Sequence, residues 1–281
     1  MKLASFRHAG RDRYGAVVGD RIADLQAVFA DRAPDLRSLI ANDLLGEAAQ
    51  AVDGAPAVAV ADVRWLPVIP SPGKIVCVGL NYAEHVRETQ REVTEHPTLF
   101  LRVAESQTAH GEAILLPPES GDLDYEGEIA IVIGRGGRRI GERDAWQHIA
   151  GYACYNDGSV RDWQKATSQW TAGKNFARTG AFGPWMVTRD EIADDRLMTL
   201  VTRLNGVEMQ RTTTDKMIHS IPRQIAYLST FMPLAAGDVI VTGTPGGVGA
   251  RRTPPVWMKA GDTVEIEVDA IGVLRNTIEA E

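Results

Sequence analysis

Eight apolar, β-branched runs dominate the chain beyond residue 67: KIVCVGL, AILLPP, EIAIVIG, IAGYACYN, PWMVT, MTLVTRLNG, DVIVTGT and TVEIEVDAIGVL. Each is short and punctuated by Gly, Pro or Asp, the pattern of strands that cannot continue into long helices. They require a β-rich α+β fold. Two segments carry a helical period instead. Asp35 to Val52 places Leu36, Leu39, Ile40, Leu44 and Leu45 near a 3.6-residue repeat. HSIPRQIAYLSTFM has Ser220 as a cap, Pro222 in the first turn, and Ile225, Leu228 and Met232 on one face.

The Pro-rich junction WLPVIPSPGK, Trp65–Lys74, is the best place to divide the 281 residues. It suggests a small N-terminal α/β domain, residues 1–66, and a catalytic domain, residues 67–281. The N-terminal part holds short strands (KLASFRH, YGAVVGDRIADL) and the first helical segment, with no convergent acid, base or ligand set.

Charge narrows the function. Thirty basic against 37 acidic residues give a net −7, and no basic stripe offers a path for a phosphate backbone. The 6% aromatic content gives no stacking platform for single strands, so no nucleic-acid partner is expected. Cys77 and Cys154 lie inside apolar runs without a CxxC partner, as small buried hydrophobes would. The N-terminal MKLASFRHAGRDRYG lacks the apolar centre of a secretory signal. No apolar run approaches the ~20 residues that span a bilayer, so the expectation is a cytoplasmic protein with no membrane partner.

Chemistry concentrates in Asp122–Gly134, where acids interrupt a buried-looking strand. Asp124, Glu126 and Glu128 are spaced by two, which puts side chains of a strand on one face. Clustered carboxylates repel unless a cation neutralises them, so a divalent ion held by oxygen is one explanation. The other is a solvent-facing edge, as in Glu265, Glu267 and Asp269 of TVEIEVDA. Spacing alone leaves both open. Asp157 adds an acid at the end of an apolar strand, a common place for site residues. Asp162, beside Arg161, reads as a residue that supports the site from behind or as a surface ion-pair residue.

In NYAEHVRET, His85 and Glu88 are neighbours on a helical turn, so Glu88 could orient His85 as a base; an incidental surface pair has the same spacing. The polar TQREVTEHPT that follows reads as a mobile loop able to close over a pocket. Lys174, in a Gly-bracketed segment beside Trp170 and Phe176, could stabilise a developing enolate or be ordinary solvated surface. VIVTGTPGGVG, Val239–Gly249, exposes backbone N–H groups as an anion cradle without a P-loop or dinucleotide fingerprint. The other five histidines have no partner at a telling spacing.

CVGLNYAEHVRE, PTLFLR, DLDYEGEIAIVIG, AGYACYNDGSVRDWQ, GK and TGTPGGVG stand in the order and rough spacing of the fumarylacetoacetate hydrolase family, and the chain resembles it from about Pro67 to the C terminus. The resemblance implies a mixed β-roll catalytic domain, a homodimer and a Mg²⁺ or Mn²⁺ site for small-molecule 2-oxo acid substrates. Carried over by position, it implies Glu126, Glu128 and Asp157 as metal ligands and His85, Glu88 and Lys174 as catalytic groups. It implies Tyr82, Arg102, Gln164 and Thr244 as substrate contacts. The implied reaction is metal-dependent hydrolysis of the C–C bond of a 2,4-dioxo acid through a metal-bound enolate. Isomerisation of a 2-hydroxy-dienedioate of aromatic catabolism and oxaloacetate decarboxylation are the alternatives within the family, and a non-enzymatic metal or small-molecule binder is the one outside it. Two departures border the implied pocket: Arg102–Val103 where many relatives have Lys–Pro, and Asn175-Phe176-Ala177 where many have Ser-Phe-Asp.

Overall fold

The computed structural model describes residues 1–281. The sequence's apolar runs become strands of two sheets. The larger has twelve strands, and its central path runs Lys2–His8, Gly180–Thr188, Ile149–Asn156, Gly127–Ile133, Val239–Val241, Ile75–Gly79 and Thr98–Arg102. The smaller, of five strands, is ordered Val207–Thr213, Thr199–Leu204, Thr263–Val268, Gly272–Ala280 and Ile114–Leu116. A core of Ile129, Ile131, Tyr152, Leu200, Ile266 and Leu274, among others, fills the space between them. Strands Gly127–Ile133 and Ile149–Asn156 are buried at every position, which is why they read as continuous apolar runs.

The first 66 residues extend the same sheet. Lys2–His8 pairs antiparallel with Gly180–Thr188, and a second core joins Leu3, Tyr14, Leu36 and Leu39 to Ile75, Ala130 and Val241. The 66/67 division therefore falls between two pieces of one continuous sheet.

The segment Asp35–Val52 forms two helices rather than one, Leu36–Ala41 and Leu45–Ala51. The Asp35 side chain caps the first by accepting from the Ser38 N–H at 2.6 Å, and Asp43, at φ 57°, turns the chain between them. Ser220 caps Ile221–Phe231, with Pro222 in the first turn and Ile225 and Leu228 fully buried. Both cysteines are buried and free. No helix is long and apolar enough to cross a membrane.

Candidate active site

The acidic segment does not run as one strand. Leu123–Asp124 pairs with Ser159–Val160 in a small separate ladder, and the central strand begins only at Gly127. This break turns Asp124 away from the other two acids. Its carboxylate accepts from the N–H groups of Gly249 and Ala250 at 2.8 and 3.0 Å and from Arg161 Nε at 2.8 Å. Asp124 thus anchors the turn after the TGTPGG loop.

Glu126 and Glu128 meet Asp157 instead. One oxygen of each lies within 4.8 Å of the others, and all three residues are buried. Asp157 arrives because its strand, Ile149–Asn156, pairs with the central strand in the register Gly127 to Asn156. The Asp157 N–H donates to the Glu126 carbonyl at 2.8 Å, and the Asn156 side chain accepts from the Glu126 N–H at 3.0 Å. The contrast with TVEIEV is direct. There Glu265 and Glu267 alternate with buried neighbours on a half-exposed face, where Glu267 pairs with Arg203 at 2.5 Å.

Three buried cations press on the acids. Lys174 Nζ donates to Glu126 Oε2 at 2.6 Å and to Asp157 Oδ2 at 2.5 Å. Arg161 pairs with Glu126 Oε1 at 2.6 Å and Arg102 with Asp157 Oδ1 at 2.5 Å. Glu128 has no such partner; it accepts the backbone N–H of Gly243. Burial, reinforced by Asp157 and Glu126, pushes its carboxyl well above the usual range. Burial acts on Glu126 in the same sense, but Lys174, Arg161 and His85 outweigh it and hold that carboxyl below its usual value. Burial opposes the charge of Lys174 too, yet Asp157 and Glu126 raise its pKa.

The four buried acids Asp124, Glu126, Glu128 and Asp157 thus face three buried cations, and the uncompensated carboxylate belongs to the cluster. Three hard oxygen donors with a surplus negative charge are a donor set that fits Mg²⁺ or Mn²⁺.

The opposite wall comes from the short helix Ala83–Glu88. His85 lines the pocket and is buried; its Nδ1 lies 2.7 Å from Glu88 Oε1. Glu88 Oε2 accepts from the Gly247 N–H at 2.9 Å, which ties this helix to the TGTPGG loop. Gly243, at φ +107°, must be glycine: a Cβ there would sit 2.6 Å from that of Asn81. Its N–H is thereby free to face Glu128.

Glu126, Glu128, His85, Lys174, Gln164 and Thr244 all line one pocket. Thr244 Oγ1 donates to the Gly127 carbonyl at 3.0 Å and accepts from Gln210 at 2.9 Å, while Gln164 accepts from Arg161 at 2.9 Å. The two other expected substrate contacts are not on this wall. Arg102 is wholly buried behind Asp157, held also by the Gly158 carbonyl at 2.9 Å and Thr179 at 3.0 Å. Tyr82, at the start of the His85 helix, packs towards Met217 and opens on a different surface groove.

A family model for the fumarylacetoacetate hydrolase C-terminal region matches residues 74–279. The chain belongs to the fumarylacetoacetate hydrolase family. The mitochondrial oxaloacetate tautomerase FAHD2A of Bos taurus is 41% identical over 219 residues, covering 77% of this chain and 70% of that protein. A fumarylacetoacetate hydrolase from psychrophilic Exiguobacterium antarcticum has the same structure at TM-score 0.90 and 33% identity, covering 100% of both chains. The maleylpyruvate hydrolase of Sphingobium sp. SYK-6, solved with manganese(II) and pyruvate, superposes at TM-score 0.83 with 29% identity, over 100% of this chain and 99% of that one.

In this fumarylacetoacetate hydrolase family enzyme, three site residues escape sequence reasoning. Arg161 bridges Asp124 and Glu126 rather than pairing with Asp162, which is exposed and accepts from Ser120 at 2.7 Å. Asn81, fully buried, donates to the carbonyls of His219 and Thr242 at 3.1 and 2.7 Å and accepts from the His219 N–H at 2.7 Å. Trp170 stands against Gly79, where a Cβ would come within 2.4 Å of its ring, and meets Phe100 edge-on at 5.5 Å. A polar residue just after an apolar run is a weak signal for Asn81, and none marks the roles of Arg161 or Trp170.

Proposed function

We propose that this enzyme interconverts the keto and enol forms of oxaloacetate, using a divalent cation held by Glu126, Glu128 and Asp157. The observation that carries the reading is the His85–Glu88 pair on the wall of the pocket that contains the three-carboxylate cluster. A base and an electrophilic centre on one substrate are the requirement for moving a proton next to a carbonyl. The 41% identity to an oxaloacetate tautomerase supports this outcome over others that the same residues could serve.

Glu126, Glu128 and Asp157 would hold the cation, which would supply Lewis acidity to the 2-oxo acid substrate. Glu88 accepts from His85 Nδ1–H, which leaves the Nε2 lone pair to take a proton from C3 of the keto form; a proton is then delivered to the 2-oxygen to give the enol, and the reverse direction takes it from that oxygen and returns one to C3. Lys174 offsets negative charge developing on the 2-oxygen. Gln164 and Thr244 orient substrate oxygens from the side walls. Arg102 acts through Asp157, whose carboxylate it fixes, and Tyr82 through the start of the His85 helix.

A second reading, hydrolysis of a 2,4-dioxo acid, is favoured by the same dyad, since Nε2 could instead take a proton from water. One assay separates the two. Loss of enol absorbance from oxaloacetate is followed in parallel with pyruvate release from an acylpyruvate, each with Mg²⁺ or Mn²⁺ and with a chelator. The proposal expects cation-dependent acceleration of the first reaction that is lost in His85→Ala. Acylpyruvate cleavage without acceleration of enol loss would replace it with the hydrolytic reading.

A further inference from the structure

The cations at the floor of the pocket are all spoken for, but those at its mouth are not. Arg91, Lys165 and Arg251 line the same pocket, are exposed, and have no ion pair or side-chain hydrogen bond. Elsewhere on the surface arginines find acids readily, as Arg211 does with Glu208 and Arg223 with Glu142. The three come from separate parts of the chain: the loop after the His85 helix, the end of the helix Arg161–Lys165, and the turn Gly249–Arg251. Arg91 is positioned by its guanidinium lying 5.2 Å over the Trp170 ring. Partial burial, then Arg251 and Arg161, lower the pKa of Lys165, and Asp122 and Asp124 offset this only in part. Like charges gathered around a cleft without ion pairs of their own repel one another and favour an anion at its mouth.

We propose that Arg91, Lys165 and Arg251 form a subsite for a second carboxylate, so that the pocket selects 2-oxo dicarboxylates over 2-oxo monocarboxylates. The 2-oxo carboxylate end goes to the floor, beside the acidic cluster and Lys174, and the far carboxylate meets the rim. The inference rests on the reading of the floor as a 2-oxo acid site, and it assigns discrimination to residues that touch none of the floor groups' carboxylates.

The test compares oxaloacetate with its 4-methyl ester, in which a neutral ester replaces the far carboxylate, on the parent enzyme and on Arg91→Gln, Lys165→Gln and Arg251→Gln. Arg87→Gln, on the His85 helix but outside this pocket, controls for loss of net charge. Each rim variant should raise KM for the dianion by roughly tenfold, the loss expected for one hydrogen bond to a charged group, with kcat and the KM of the ester unchanged. Arg87→Gln should move neither. Equal shifts for dianion and ester, or no shift in any rim variant, would overturn the subsite. A binding arm uses 3,3-difluorooxaloacetate, which has no C3 hydrogen to lose, and its 4-methyl ester, titrated calorimetrically into the Mn²⁺-loaded protein. Selective weakening of the dianion there, in an enzyme that turns over neither substrate, would uphold the subsite while refuting the tautomerase reading. Equal affinities for dianion and ester in the parent would refute the subsite whatever the enzyme turns over.

Discussion

Glu88 holds the Gly247 N–H at 2.9 Å with one carboxylate oxygen and His85 Nδ1 at 2.7 Å with the other, across 159 residues of sequence. Both oxygens act as acceptors, so the carboxylate cannot be replaced by an amide without loss. In Glu88→Gln the amide NH₂ must face either the Gly247 N–H, donor against donor, or His85 Nδ1, which would then have to give up its proton and pass it to Nε2. Either arrangement spoils the base. Glu88→Gln should lower the enolisation rate by about 10²–10⁴-fold, the span of general-base catalysis, with little change in the melting temperature. Steady-state rates and thermal melts on the same preparation check this.

What the sequence discloses and what it withholds follow the distance over which each feature is set. The all-buried strands are legible because both of their faces are apolar, and Glu128 stands out as a charge inside such a run, with Glu126 just ahead of it. The departure of Asp124 from that face depends on a pairing with Ser159 and on N–H groups of Gly249 and Ala250, more than a hundred residues on, and no local pattern encodes them. Arg102 reads as a pocket residue by position, yet its side chain ends behind Asp157, because Ser106, Gly158 and Thr179 offer it acceptors there. The pairing of Lys2–His8 with Gly180–Thr188 is equally silent in a sequence whose Pro-rich junction suggests separation.

Lys174 opposes the cation that the cluster is built to hold, since its ammonium already contacts two of the three acids. Lys174→Met should therefore tighten Mn²⁺ binding while lowering the rate of enolisation by at least about tenfold, because a positive charge is lost beside the developing oxyanion. Opposite movement of Kd and kcat is the signature. It can be read by titrating Mn²⁺ and following its paramagnetic resonance signal, alongside the enol assay.

Glu128 and Asp157 should respond differently to the same loss of charge. Glu128→Gln keeps an oxygen for the Gly243 N–H and removes a carboxylate with no cationic partner, so the metal-free protein should be as stable as the parent or more so. Asp157→Asn removes the charge that pairs with both Arg102 and Lys174, and should cost about 3–5 kcal/mol, the range for breaking a buried pair. Both variants should lose Mn²⁺ affinity. Urea unfolding in the presence of a chelator separates the two effects on stability, and metal titration confirms the shared one.

Asn81 joins the start of the His85 helix to two places far along the chain, His219 just before the Ser220 cap of the Ile221–Phe231 helix and Thr242 just past the Val239–Val241 strand. Its amide satisfies three buried backbone groups at once. Asn81→Ala leaves the His219 N–H and the His219 and Thr242 carbonyls to find other partners, of which Gln224 already bonds both carbonyls, at 2.9 and 3.5 Å. The unmatched loss is therefore centred on the His219 N–H, and the cost should be about 1–3 kcal/mol rather than the sum of three bonds. Asn81→Asp keeps the acceptor for that N–H but sets an oxygen against the two carbonyls and buries a charge, so it should be more damaging than alanine. Denaturant unfolding of the two variants orders them, and hydrogen exchange at the His219 amide should rise in Asn81→Ala to rates near those of open backbone.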